Sequence, residues 1–168
     1  MPFELPNRLG PFSIDGQGRI APRAGVEMPH FLFHWRERKI SARLARQHDH
    51  EDPDRGRLML SAWLGRVPSS ADPAPAERRV ASFGTLRELL EILPGDWRVR
   101  LLPDHQVRLD AEMALSWPAS AVELMAELTR FLLALAPYLD LLDEEDVLEP
   151  ASAGLASVGL ASAGTART

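Results

Sequence analysis

Cysteine is absent from the chain. That excludes disulfides, thiolate metal sites and a cysteine nucleophile, while leaving the compartment open. Lysine is almost absent: Lys39 is the only one, so every other basic side chain is an arginine. A GC-rich genome accounts for that bias without invoking phosphate binding. Long hydrophobic runs are missing too, and the longest, Phe131 to Ala136, is far too short to span a bilayer. The opening Met1-Pro2-Phe3-Glu4-Leu5-Pro6 has no basic n-region and no apolar h-region, so no secretory signal is expected. A cytoplasmic protein without a membrane partner is the expectation. There is no basic excess: the net charge is −5 and the pI near 5.5, which argues against nucleic acid as a partner. Catalytic signatures are lacking. None of the serines sits in a GxSxG elbow, and neither GxxxxGK[ST] nor GxGxxG occurs.

What the chain does have is periodicity, clearest from Trp97 to Asp143. Trp97, Val99 and Leu101 alternate with Arg98 and Arg100. After Pro103-Asp104-His105-Gln106 the alternation resumes through Val107, Leu109, Ala111, Met113, Leu115 and Trp117. This predicts an antiparallel hairpin with one buried and one wet face. Asp110 and Glu112 fall on the wet face opposite Arg98 or Arg100, so cross-strand ion pairs are expected. Pro118 stops the strand. Ser120 with Glu123 forms a capping box, and a long helix follows. Its apolar stripe reads Ala121, Met125, Leu128, Leu132, Leu135, Leu139 and Leu142. Leu124, Phe131, Leu133 and Tyr138 lie off that stripe. They predict a second buried face, met by another chain, most simply a twofold mate. Pro137 is expected to bend the helix or end its regular part.

Upstream, Phe12–Asp15, the Gly16-Gln17-Gly18 turn and Arg19–Ala21 read as a short hairpin. Phe31, Phe33 and Trp35 form one strand face. Arg36-Glu37-Arg38-Lys39 reads as a tip too charged to be buried, and Ile40, Ala42 and Leu44 alternate back with Arg43 and Arg46 on the outer face. Leu58 to Leu64 gives a third strand. Thr85 and Glu88 read as a capping box for a helix carrying Leu86, Leu89, Leu90 and Leu93. Three regions result: an N-terminal segment, 1–29; one α+β domain, 30–149; and a low-complexity tail, 150–168, expected to be flexible. The fold class is α+β, an antiparallel sheet in βββ-α-ββ-α order with a long C-terminal helix packed on one face.

The Leu58–Val67 strand, the Thr85–Leu93 helix, the Trp97–Trp117 hairpin and the Ser120–Asp143 helix together resemble the type III secretion chaperones and their relatives of the YbjN-like group. The resemblance is one of pattern and covers about two-thirds of the chain. It departs where those families open with an amphipathic helix, since a Pro- and Gly-rich segment stands there. The resemblance implies a small, acidic, cytoplasmic, non-enzymatic homodimer that binds a client protein or peptide. No cofactor is expected.

The candidate partner-binding residues are Leu124, Phe131, Leu133 and Tyr138 on the helix, with Arg36 and Arg43 from a basic stripe on the first hairpin. A solvated strand edge explains that stripe equally. His48-Asp49-His50-Glu51-Asp52 is the densest set of metal-ligand types, and His48 and His50 are the alternative as zinc-type ligands of a metal-dependent enzyme. Their spacing of two on a polar loop does not preorganise a tetrahedral site, and a solvated turn accounts for them. His30 and His34 share a strand face about 13 Å apart, too far for one metal. A third reading is a small-ligand binder with a pocket between the sheet and the long helix.

Overall fold

The structure is a computed structural model and describes residues 8–24, 29–47, 55–68, 76–146 and 148–149. His48, His50 and the tail from residue 150 lie outside the described residues. Two antiparallel sheets and two helices make up the fold. A small sheet joins β1 (Arg8–Leu9), β2 (Phe12–Ile14) and β3 (Ile20–Pro22) in that order. The main sheet contains β4 (His30–Trp35), β5 (Arg38–Arg46), β6 (Arg55–Arg66), β7 (Arg98–Leu101) and β8 (Gln106–Ser116), in spatial order β4-β5-β6-β8-β7. Helix α1 (Ala76–Ile92) joins β6 to β7, and helix α2 (Ala121–Glu144) follows β8. The α+β reading and the βββ-α-ββ-α order are what the structure shows.

Alternation decides the layering. Ile40, Ala42 and Leu44 on β5, Leu58, Leu60, Ala62 and Leu64 on β6, and Val107 and Leu109 on β8 are all buried. With Leu86 and Leu89 of α1 and six residues of α2 they form one core cluster. Phe12 and Ile20 of the small sheet belong to that cluster too. The N-terminal hairpin is therefore part of the same core rather than a separate segment. The Ile20 amide donates to the Ala119 carbonyl and the Ala121 amide to the Gly18 carbonyl, so the hairpin is tied to the start of α2. Its turn is held by Asp15, whose Oδ1 accepts from the amides of Gln17 and Arg19 at 2.9 Å each. The Arg19 amide, more than any other group, holds the Asp15 carboxyl below the usual carboxylate range.

Helix α1 is longer than expected and passes through Thr85, so Thr85 is a mid-helix residue and not a cap. Polar Ser82 can be buried in it because its hydroxyl donates to the Arg78 carbonyl one turn back. For α2, Ser120 does cap, its hydroxyl accepting from the Glu123 amide at 3.0 Å. The reciprocal half of the box is absent: Glu123 instead accepts from the Ser116 amide at the end of β8. That bond links strand end to helix start. Pro137 does not end α2, which continues to Glu144. Pro137 is exposed, so its ring and the missing N–H fall on the solvent side, where the cost is least.

The β4–β5 connection is tighter than the four-residue tip anticipated. Trp35 pairs directly with Arg38, leaving only Arg36 and Glu37 in the turn, at φ 48 and 60. Two positive φ values define a type I′ hairpin turn, in which glycine is the preferred second residue. Glu37 is exposed, and no ion pair of its side chain occurs among the described residues. Replacing it by glycine should therefore remove left-handed strain without losing a contact. We expect Glu37→Gly to raise stability by about 0.5–1 kcal/mol. A denaturant midpoint that falls would show that the turn is not under strain.

Candidate functional site

Two surfaces could engage a partner, and they lie on opposite sides of the main sheet. The first is the outer side of α2. The side facing the sheet carries Leu124, Leu128, Phe131, Leu135, Leu139 and Leu142, all buried. Leu124 and Phe131 are thus core residues, which corrects their expected place on a partner-binding face. Conversely Met125, read as part of the inner stripe, is exposed, and Leu132 is half-buried. The Phe131 ring sits 5.2 Å from Trp97, and the Trp97 ring lies 5.9 Å from Tyr138. Tyr138 is half-buried, and its hydroxyl donates to the Ile92 carbonyl at the end of α1. It joins the two helices and is not a free contact residue.

The residues left outside are Val122, Met125 and Leu133, at 80%, 56% and 68% exposure. Their spacing of three and eight places them along one side of α2, away from the sheet. Among the expected contact residues on the helix, Leu133 alone lies on this exposed apolar strip.

The C-terminal half of α2 is pinned to the β4–β5 turn by charge. Arg36 Nη1 donates to Asp140 Oδ1 at 2.6 Å and to the Ala136 carbonyl, while its guanidinium lies 5.3 Å from the Trp35 ring centroid. Arg38 is only 8% exposed and pairs with Asp143. The expectation that this tip is too charged to be buried fails for Arg38. Its long apolar stem lies in the protein while the guanidinium reaches a carboxylate on the rim. Arg36 and Arg38 hold the subunit together, and leave the basic stripe to the residues beyond them.

The second surface is the outer face of the main sheet, which forms a trough of about 820 Å3. Both helices contribute their buried residues to the core on the inner face. Register aligns the outer residues in rows: Leu32, Ser41, Ser61, Asp110 and Arg98 lie side by side across five strands. The next row is His30, Arg43, Met59 and Glu112. Six arginines line the trough against three carboxylates, Asp96, Asp110 and Glu112. Two of these acids are consumed locally. Asp110 accepts from Ser61 Oγ at 2.7 Å and from Arg108 Nη2 at 3.0 Å, and lies 3.2 Å from Arg100 Nε. Glu112 pairs with Arg57 at 2.9 Å. The expected cross-strand pairs exist, with the correction that Glu112 is met from β6 and not from β7. Lys39 stacks over Trp63 at one end. Arg43, predicted as a partner-binding residue, is exposed in this trough. Ion pairs of Arg43, Arg55 and Arg98 are absent among the described residues.

The pocket expected between sheet and helix is not where the large cavity lies. Leu124, Phe131, Leu135 and Leu139 fill that interval, and the trough occupies the opposite face. No group of three His, Asp or Glu side chains able to hold a metal is present among the described residues, and His48 and His50 lie outside them. His30 and His34 are both exposed on β4. No helix among the described residues is long and apolar enough to cross a membrane. No family model, curated protein or solved structure matches the chain.

Proposed function

We propose that the chain is a non-enzymatic protein-binding module, chaperone-like or regulatory, acting in the cytoplasm as a homodimer. The observation that carries this reading is the exposed apolar strip Val122, Met125 and Leu133 on α2. The opposite side of the same helix already covers the sheet, so the strip is not needed for the core of the subunit. Apolar side chains kept in water along a rigid helix are a contact surface in waiting. A twofold mate is the simplest cover, because one helix side can then meet its own copy.

A charge placed at the C-terminal end of the strip, near the middle of α2, tests this. Leu133→Glu is expected to convert a dimer to a monomer at micromolar concentration, read by light scattering on the purified full chain. The monomer should still unfold cooperatively, its midpoint lowered only by the lost dimer stabilisation, since Leu133 contributes almost nothing to the core. A wild-type protein that is already monomeric at that concentration would sink the homodimer and leave the strip to a client segment laid along it.

A further inference from the structure

We infer that the outer face of the main sheet is a docking surface for an acidic, extended polypeptide segment. The proposal concerns the side of the sheet opposite α2 and stands whether or not α2 pairs with a second copy.

The argument starts from charge. The chain as a whole is net negative, yet its trough holds six arginines and three acids. The surplus is local. The internal pairs of Asp110 and Glu112 use Arg57, Arg100 and Arg108, leaving Arg43, Arg55 and Arg98 pointing cations at solvent. Like charges gathered on one face repel one another, and an anionic partner relieves that repulsion.

Spacing then sets the size of the partner. Arg98 on β7 and Arg43 on β5 are separated by three strand spacings, about 14 Å. Arg98 lies in the row of Ser61, and Arg55 is six residues further along β6, about 20 Å. One small anion cannot satisfy three guanidinium groups so far apart. A segment of about seven or eight extended residues spans the distance at roughly 3.3 Å per residue.

The identity of the polyanion follows from what lies between the arginines. Asp110 and Glu112 sit in the middle of the trough, with Met59 and Trp63 beside them. A nucleic-acid strand carries a phosphate at every step and would be driven against those carboxylates. A peptide can place its acids opposite Arg43, Arg55 and Arg98, and neutral or apolar side chains over Met59 and Trp63. Arginine suits this role because its planar fork grips a carboxylate through two N–H groups.

The test is fluorescence anisotropy with the full chain and a labelled, spaced oligoglutamate of about ten residues, its acids separated by neutral and apolar side chains, long enough to cover the arginine span. An oligolysine and a single-stranded oligothymidylate of matched length serve as controls. We expect saturable binding of the oligoglutamate, weakened by raising the salt from about 50 to about 300 mM. Binding of the thymidylate should be weaker, and of the oligolysine absent. Arg43→Ala combined with Arg98→Ala should lower affinity by about tenfold or more. Both side chains are exposed, so the thermal midpoint should be unchanged, and that is checked in parallel. No binding of the oligoglutamate, or equal binding by the double variant, overturns the proposal. Tighter binding of the thymidylate overturns it in favour of nucleic acid.

Discussion

Replacing Phe131 with alanine should lower the stability of the subunit by about 3–5 kcal/mol. Its side chain is fully buried and lies against Trp97, with ring centroids 5.2 Å apart at a tilt of 46°. Trp97 in turn is packed by Tyr138, which bonds the end of α1. Removing the benzyl group takes away the side of that aromatic stack that fixes α2 over the sheet. The Trp97 ring is held on its other side by Tyr138 and cannot close the gap without moving backbone, so a cavity remains. Leu133→Ala, two residues and about half a turn away on the exposed strip, should cost less than about 0.5–1 kcal/mol. Denaturant unfolding of both variants gives the comparison. A loss below about 1 kcal/mol for Phe131→Ala, together with a monomeric variant at a concentration where the unaltered chain is dimeric, would place Phe131 in a subunit contact instead of the core.

That pair of substitutions marks the limit of what periodicity could reveal. In α2 the apolar residues run nearly round the helix beyond Thr129 and Arg130. A stripe through Met125 and Leu132 and a stripe through Leu124 and Phe131 fit the 3.6 period about equally well. The choice between them comes from tertiary contacts. The Ser116–Glu123 bond sets how α2 leaves β8, and Trp97 supplies the partner for Phe131. Neither is visible as a pattern within the helix. The hairpin of β7 and β8 was legible because its signals were local: alternation on both sides and Pro-Asp at the turn. The Asp104 side chain indeed accepts from the Gln106 amide, and the Leu102 amide bonds the Gln106 carbonyl. The first half of α1 was not legible, since Pro-, Ser- and Ala-rich sequence precedes it and Thr85-Glu88 mimics a start.

The candidate surfaces divide in the same way. The exposed strip on α2 lies within one element, and an excess of apolar residues betrays it, although the helical pattern places only Leu133 on the right side. Arg43 was legible as an outer-face residue. The trough around it was not, because its lining is scattered from Ser41 to Ala114 and becomes contiguous only through the register of β5, β6, β8 and β7. Register depends on the whole sheet, and no short window of sequence encodes it.

The second large effect is expected at a glycine. Gly65→Ala should destabilise the subunit by about 2–4 kcal/mol. Between Trp63 and Gly65 the pairing of β6 with β8 shifts register, and Gly65 has φ 153, where an L side chain is strained. A methyl group there would also lie 2.7 Å from Leu148 Cβ and 2.8 Å from the Glu149 carbonyl oxygen. Both neighbours belong to the segment that returns after α2 and pairs with the end of β6. The Arg66 amide donates to the Glu149 carbonyl at 2.8 Å and the Glu149 amide to the Arg66 carbonyl at 2.9 Å, while Leu148 is buried beside them. The obstructing oxygen is backbone held by those two bonds, so it cannot swing aside as a side-chain tip could. The substitution therefore costs both local strain and the return pairing. Ending the chain after Asp146 separates the two contributions, because the obstruction is then gone while the backbone angle stays. In that shorter chain Gly65→Ala should cost only about 1 kcal/mol, measured against the same chain with glycine. An equal cost in both backgrounds would assign the whole effect to the backbone angle and none to Leu148 and Glu149.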